Sequence, residues 1–435
     1  MKLQNFFESR WFILLSVLLG AVFVVFEKEA YGAIVMLNIG AVALLFCENI
    51  ISAFTPALVA SAFVIKCYDS SSLFLPLWWT ALFPVAAIVA YLIIFRKKIS
   101  IGKSFPGLVA VAIAVTVGGL FTISPAEYFS PSAIYYVVML GFGMVAAYLL
   151  IRSHIKESER YDVFERYVLI MTAVGMFASF VVFEFYLSNL EETLLAGELA
   201  NIQWSNNIST IIMFTMPFVL WYARKCFAFF PLLLVSYGAL LLSGSRGAWV
   251  MGTVELLICI VVYCILSKRG KVRAVVISLL CAAFAVAIGV IVWKFTEFDN
   301  RDIAFLPHND VRIRLIARSF EDFSHNPIFG KGIGNTANSD LYNGKKGTMV
   351  WYHMMIPQIV GGLGLVGMFC YGKQIVERFA MIFKKKDAYV WIVGLSYIGM
   401  FLMSQVNPGE FCPLPYELMV VVSFIMIEKY QEKGL

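Results

Sequence analysis

Fourteen apolar stretches follow one another along the chain, each closed by a short polar break. They run roughly over 11–26, 31–47, 51–65, 73–95, 106–123, 131–151, 163–187, 204–222, 227–243, 246–266, 274–295, 352–372, 388–405 and 414–428. Most approach the length of about 20 residues that a helix needs to cross the hydrocarbon core. Backbone polar groups in lipid are satisfied only inside helices or closed barrels. The pattern therefore predicts an all-α integral membrane protein, a polytopic helical bundle of about 12–14 transmembrane helices. The stretch 51–65 is short enough for a re-entrant or tilted segment. The first stretch follows Lys2 and Arg10 but lacks a small-residue cleavage site, so it reads as a retained helix and not a signal peptide.

Composition agrees. Of the 435 residues, 60% are hydrophobic and 14% charged, against about 45–50% and about 25% in a soluble domain. That excludes a water-soluble globule, a disordered chain and a small disulfide scaffold. The net charge of +6 gives no reason to expect nucleic acid as a partner; the partner the composition requires is the lipid bilayer. The eight cysteines show no C-x-x-C spacing and read mostly as small core residues.

Charge placement orients the bundle. With the N-terminus inside and fourteen alternating crossings, 23 of the 34 Lys and Arg fall on inner segments. Seven of the remaining 11 lie in one loop, so the short outer loops are nearly bare. By the positive-inside rule both termini are expected to be cytoplasmic. The domain organisation expected is 1–295 as transmembrane helices one to eleven, 296–351 as an extracytoplasmic loop with a short amphipathic helix, and 352–435 as helices twelve to fourteen with a cytoplasmic tail. A loop of that length is usually functional or disordered. Here the 310–324 segment reads as a helix capped by Asp310, and Phe329-Gly330-Lys331-Gly332-Ile333-Gly334 reads as a Gly-punctuated turn.

Three places carry candidate chemistry. Ser243-Gly244-Ser245-Arg246-Gly247-Ala248 lies at the outer boundary between two apolar stretches. An arginine opening an apolar helix is costly unless it faces water, a cavity or an anion, and a helix start itself favours anions. The plainer alternative is a guanidinium snorkelling to the interface. On a helical wheel, Ile313, Ile316, Phe320 and Phe323 form an apolar arc toward the protein or membrane surface, with Arg314, Arg318, Glu321 and Asp322 opposite; Arg314 and Arg318 read as solvated residues that pair with acids. Arg312 lies at the edge of the apolar arc, where it wants either a bound anion or a carboxylate from elsewhere in the fold. His353, in Trp351-Tyr352-His353, opens the helix that runs through Pro357 and Gly361-Gly362-Leu363-Gly364. It is either a proton acceptor near neutral pH or a polar tip at the interface. There is no phosphate-binding loop, no nucleotide fingerprint and no H-E-x-x-H. Glu297-Phe298-Asp299 is only a weak candidate for a metal clamp.

In this order, these residues resemble the O-antigen polymerase and ligase superfamily. Ser245-Arg246-Gly247 matches its Ser-Arg-Gly at the outer start of a helix. Arg312 matches its arginine about 15 residues before the segment Pro327-Ile328-Phe329-Gly330-Lys331-Gly332-Ile333-Gly334. His353 with Gly364-Leu365-Val366-Gly367 matches its His and Gly-x-x-Gly helix, and Asn206 or Asn207 with Pro217 weakly matches an upstream Asn-to-Pro element. The good match covers about 240–370; where the family often has Asn after the His, Met354 stands. The resemblance implies a GT-C-like bacterial glycosyltransferase of the cytoplasmic (inner) membrane, catalysing inverting, metal-independent transfer on the outer face without a cofactor. The donor implied is a glycan on undecaprenyl pyrophosphate, and the acceptor a glycan hydroxyl. Arg246 and Arg312, with Ser245, Asn206 and Asn207, would bind substrate, and His353 would be the catalytic base. A polymerase is expected first, with a chain-length regulator protein as its partner. A ligase to lipid A–core or protein comes next, and a lipid-linked oligosaccharide flippase after both.

Overall fold

The computed structural model describes residues 2–67, 73–119, 132–191, 202–267, 275, 277–279, 282–283, 286, 311–333, 337–341, 350–384, 386–411 and 414–434. Most of those residues are helical, with short turns between, and no β-strand is among them. Six of the described helices are long and apolar enough to cross a membrane: Glu29–Phe46, Pro76–Ile94, Ala133–His154, Val163–Ser188, Arg246–Leu266 and Met355–Phe383. Shorter apolar helices accompany them, among them Arg10–Val25, Ile50–Lys66, Phe105–Gly118, Phe227–Leu242 and Ala388–Met403. The protein is an all-α polytopic membrane protein. Most of the stretch expected at 274–295 lies outside the described residues, as do Asp310, His308, Glu297 and Asp299.

The chain divides into two compact units, Met1–Ile99 with Ser153–Glu297, and Ser100–Arg152 with Phe298–Leu435. In the first, the Val163–Ser188 helix is buried along most of its length. It packs against the Arg10–Val25, Phe54–Lys66, Ser205–Thr215 and Pro231–Leu242 helices. Asp162 caps its start by accepting from the amides of Phe164 and Glu165. The Ser205–Thr215 helix gives way at Pro217 to a short 3-10 turn, Met216–Phe218, because proline cannot donate to the ladder.

In the second unit the Met355–Phe383 helix packs most extensively on Phe105–Gly119. Its apolar stretch was expected to end near 372, which would leave Arg378 as a charge on an inner loop. Instead the helix continues to Phe383 and Arg378 is buried. Its guanidinium donates to Glu410 and Glu417, both at 2.7 Å. A charge can remain inside an apolar bundle only when it is paired this way. Arg152 does the same with Glu428 at 2.9 Å, where Tyr148 also donates at 2.8 Å.

That long helix is broken. Gly364 has φ +61° and ψ −153°, so residues 355–363 and 365–383 form two helical segments. The segment Pro327–Gly332 fills the break. The amides of Lys331 and Gly332 donate to the carbonyls of Gly361 and Gly362 at 2.8 and 2.9 Å. The amides of Leu365 and Val366 donate to Pro327 and Ile328 at 2.8 and 3.1 Å. The loop thus satisfies the backbone groups that a broken helix would otherwise leave bare in an apolar setting. Gly330 and Gly364 are obligatory here: both have positive φ, and a Cβ on either would lie 2.5–2.6 Å from the backbone of the facing segment.

Candidate functional site

One cluster of candidate residues, in the first compact unit, is built on hydroxyls. Ser245 is the N-cap of the Arg246–Leu266 helix, its side chain accepting from the Ala248 amide. Its hydroxyl donates to the side-chain oxygen of Asn206 at 2.6 Å. One residue pair away, Ser209 donates to Ser243 at 2.7 Å, and Ser243 donates to the Leu240 carbonyl at 2.6 Å. Trp249 closes the turn by donating its indole N–H to the Leu241 carbonyl at 2.7 Å. Four polar side chains thereby fix the start of one helix against the first turns of another. Asn207 is half-buried on the same turn as Asn206.

Arg246 is the first residue of that helix and is exposed. No described side chain pairs with it. Its charge adds to the positive end of a 21-residue helix, where unsatisfied amides favour an anion. The acid nearest in the helix sequence, Glu255, is fully buried nine residues further on.

A separate cluster lies in the other compact unit. The Val311–His325 helix forms where the amphipathic pattern predicted it. Its buried face is not the apolar arc. Leu315, Ser319 and Asp322 are the buried residues, while Phe320 is 58% and Ile313 40% exposed. Asp322, on the arc opposite the apolar one, is buried. The physical reason is the solvent: in a membrane protein the apolar arc need not face the protein, and small and polar residues make the packing seam. Arg318 behaves as expected, pairing with Asp340 at 3.1 Å and Glu321 at 3.5 Å. Arg314 donates to the Leu341 carbonyl at 3.4 Å. Arg312 is exposed on the first turn.

Under this helix is a polar network that the sequence reading did not identify. Asp322 accepts from the phenol of Tyr352 and from Lys331 Nζ at 2.8 Å. The Tyr352 amide donates to Gln358 Oε1 at 3.0 Å. Burial, with the Asp322 carboxylate second, pushes the Tyr352 phenol well up, so it remains a donor. Asp322 recurs at helical spacing with Leu315 and Ser319, and that stripe was the available signal.

His353 follows directly, in the left-handed region at φ +56°. Its imidazole is pushed down to about 4, first by burial and then by the charge of Arg312. Arg312 and His353 thus lie within electrostatic reach of each other, as a cation beside a neutral imidazole. The helix begins just beyond, with the Met355 amide donating to the Ser404 carbonyl at 2.7 Å. His325 ends the amphipathic helix, exposed, its ring bonded to the Glu321 carbonyl at 2.9 Å. Of the cysteines described, Cys47 and Cys259 are buried, but Cys226 is exposed, and Cys67, Cys264 and Cys370 are half-buried, so the expected core role holds for only part of the set.

Residues 230–372 match the protein family described as O-Antigen ligase. The match takes in Ser245-Arg246-Gly247, Arg312, the Gly-punctuated loop and His353. No curated protein matches the chain.

Proposed function

The chain belongs to the O-antigen polymerase and ligase superfamily, multi-pass membrane glycosyltransferases acting on lipid-linked glycans, and from that premise we propose that it is a polysaccharide polymerase. The donor is a glycan on undecaprenyl pyrophosphate, and the reaction takes place on the outer face of the cytoplasmic membrane. The acceptor hydroxyl attacks the anomeric carbon and inverts it. The bond from that carbon to the phosphate oxygen breaks, lipid pyrophosphate leaves with the electron pair, and His353 takes the hydroxyl proton. Arg246 and Arg312 each supply a cation to the leaving pyrophosphate, and Ser245 and Asn206 hold the helix start beside Arg246. Asn207 is assigned to the substrate side of the same turn. With the charge on the leaving group met by guanidinium groups, neither metal nor cofactor has a required part.

One observation carries this reading: a half-buried imidazole lies within reach of the Arg312 charge, and both its burial and that charge keep it neutral. A neutral imidazole can accept a proton, and a guanidinium suits a phosphate. An anion bound at Arg312 removes one of the two causes that hold the imidazole's proton affinity down. His353 then becomes a stronger base when the donor is seated.

Both termini are placed in the cytoplasm and 296–351 outside, from the Lys and Arg asymmetry. The extramembrane loop and the flanking bundles, 1–295 and 352–435, are kept as the domain organisation. A chain-length regulator is the partner that a polymerase would take. The description of the matching family favours a second reading, a ligase that passes the finished polymer to lipid A–core or protein. Purified protein given only lipid-linked repeat units separates the two. A ladder of lengthening lipid-linked products is expected; product that forms only when lipid A–core is added would replace polymerase with ligase.

A further inference from the structure

Resting on the reading of His353 as the base, we propose that Asp322, Lys331 and Tyr352 form a positioning network that holds the backbone of His353 in its left-handed conformation and so aims the imidazole. Histidine pays for such a conformation: a non-glycine residue there costs of order 1–3 kcal/mol and persists only where its surroundings over-determine it. The surroundings do so here from both sides. On the N-terminal side Tyr352 is 2% exposed and held at three points. Its phenol donates to Asp322, its amide donates to Gln358, and the Asn338 side chain also bonds it. Its ring lies on the backbone of Gly361, where a Cβ would come 2.8 Å from Tyr352 Cζ and 2.9 Å from Ser319 Cα. On the C-terminal side the Met355 amide is fixed to the Ser404 carbonyl. His353 has no freedom to relax without moving one of these anchors.

Asp322 is the hub of the network. It is 4% exposed, and a carboxylate so buried must be paired. Lys331 supplies the charge and Tyr352 the O–H, one to each oxygen. Lys331 itself is placed by the glycine loop, whose amides are bonded into the helix break. The loop, the amphipathic helix and the helix break therefore converge on the residue before the base. Because Lys331 balances Asp322, the network presents little net charge to the imidazole. Its effect on His353 is geometric.

Tyr352→Phe is the cleanest test, because it keeps the ring on Gly361 and removes only the hydroxyl. Polymerisation by purified protein in detergent should lose about 10–100-fold in kcat, with the KM for donor changed less than about twofold. In a His353→Ala background the same substitution should cost less than about twofold, since a residue that acts only through the base has nothing left to act on. Asp322→Asn should follow the same pattern. A readout that does not need turnover is carbethoxylation of His353 by diethyl pyrocarbonate, followed by mass spectrometry. Tyr352→Phe should change the rate at His353 and leave that at His325 unchanged. Equal fold losses in both backgrounds, or an unchanged kcat and an unchanged His353 rate, would overturn the network. Full turnover in His353→Ala alone is a different result: it removes the base, and the positioning role with it.

Discussion

The helix start at Arg246 and the network beneath His353 solve the same problem with different chemistry. Each fixes a functional side chain at the end of an apolar helix. At Arg246 the supports are neutral: three serine hydroxyls and an asparagine amide, bonded to each other and to backbone. None of them cancels the guanidinium charge, and no described acid does so. At His353 the supports include full charges, but these are already spent on each other, Lys331 on Asp322. A neutral scaffold leaves a cation available to an anionic ligand. A self-compensated one leaves the electrostatics of the base to burial and to Arg312, and contributes geometry. The comparison predicts that variants around Arg246 alter donor handling, whereas variants around His353 alter proton transfer.

The largest expected effect is at His353. General-base assistance contributes typically 10²–10⁴-fold, so His353→Ala should lower kcat by about that factor while donor binding survives. His325→Ala, at an exposed helix end, should be mild, and EDTA should leave turnover intact. The pH profile adds a sign. The imidazole is held at about 4, below its ordinary value of 6.5, so the base form persists into acid. The acid limb of kcat/KM should fall well below pH 6.5, and the limb of kcat should lie higher, because bound pyrophosphate opposes Arg312. Near-normal turnover in His353→Ala, or inactivation by EDTA that magnesium reverses, would break the comparison at its stronger half.

Next come the cations. Lysine keeps the charge but loses the two-pronged fork that suits phosphate. Arg246→Lys and Arg312→Lys should lose most activity at normal membrane levels. Arg318→Lys, which only trades one partner geometry with Asp340 and Glu321, should be tolerated. Equal tolerance at all three would remove the pyrophosphate assignment.

The smallest effect belongs to Ser245. Ser245→Ala deletes an N-cap and the bond to Asn206, and caps are worth about 1 kcal/mol. Thermal unfolding in detergent should register that loss, and activity should fall less than in Arg246→Lys. Activity as low as in Arg246→Lys would mean that the Ser245 hydroxyl itself contacts substrate.

The C-terminal end of the amphipathic helix was legible to within one residue, because apolar and polar positions recur with a clear helical period over 311–325. Which arc faced inward was not legible. The wheel turned the apolar arc toward the protein or the membrane surface, and the fold leaves Ile313 and Phe320 exposed while it buries Asp322 from the opposite arc. Arg378 was misread for a related reason: its position suggested an inner loop, and its two carboxylate partners come from 32 and 39 residues further along the chain.

The sequence by itself determined the membrane class, the helical architecture and the order of Ser245-Arg246-Gly247, Arg312 and His353. Those depend on hydropathy and local spacing, which a chain states one window at a time. Only the tertiary structure decided that the 355–383 helix breaks at Gly364 and that the 327–332 segment fills the break. It alone decided that Asp322 turns inward to meet Lys331 and Tyr352, and that His353 is held left-handed beside Arg312. Each of these depends on backbone and side-chain partners brought together from separate segments. A buried polar group must find such a partner wherever the fold supplies one, and no local pattern encodes where that is.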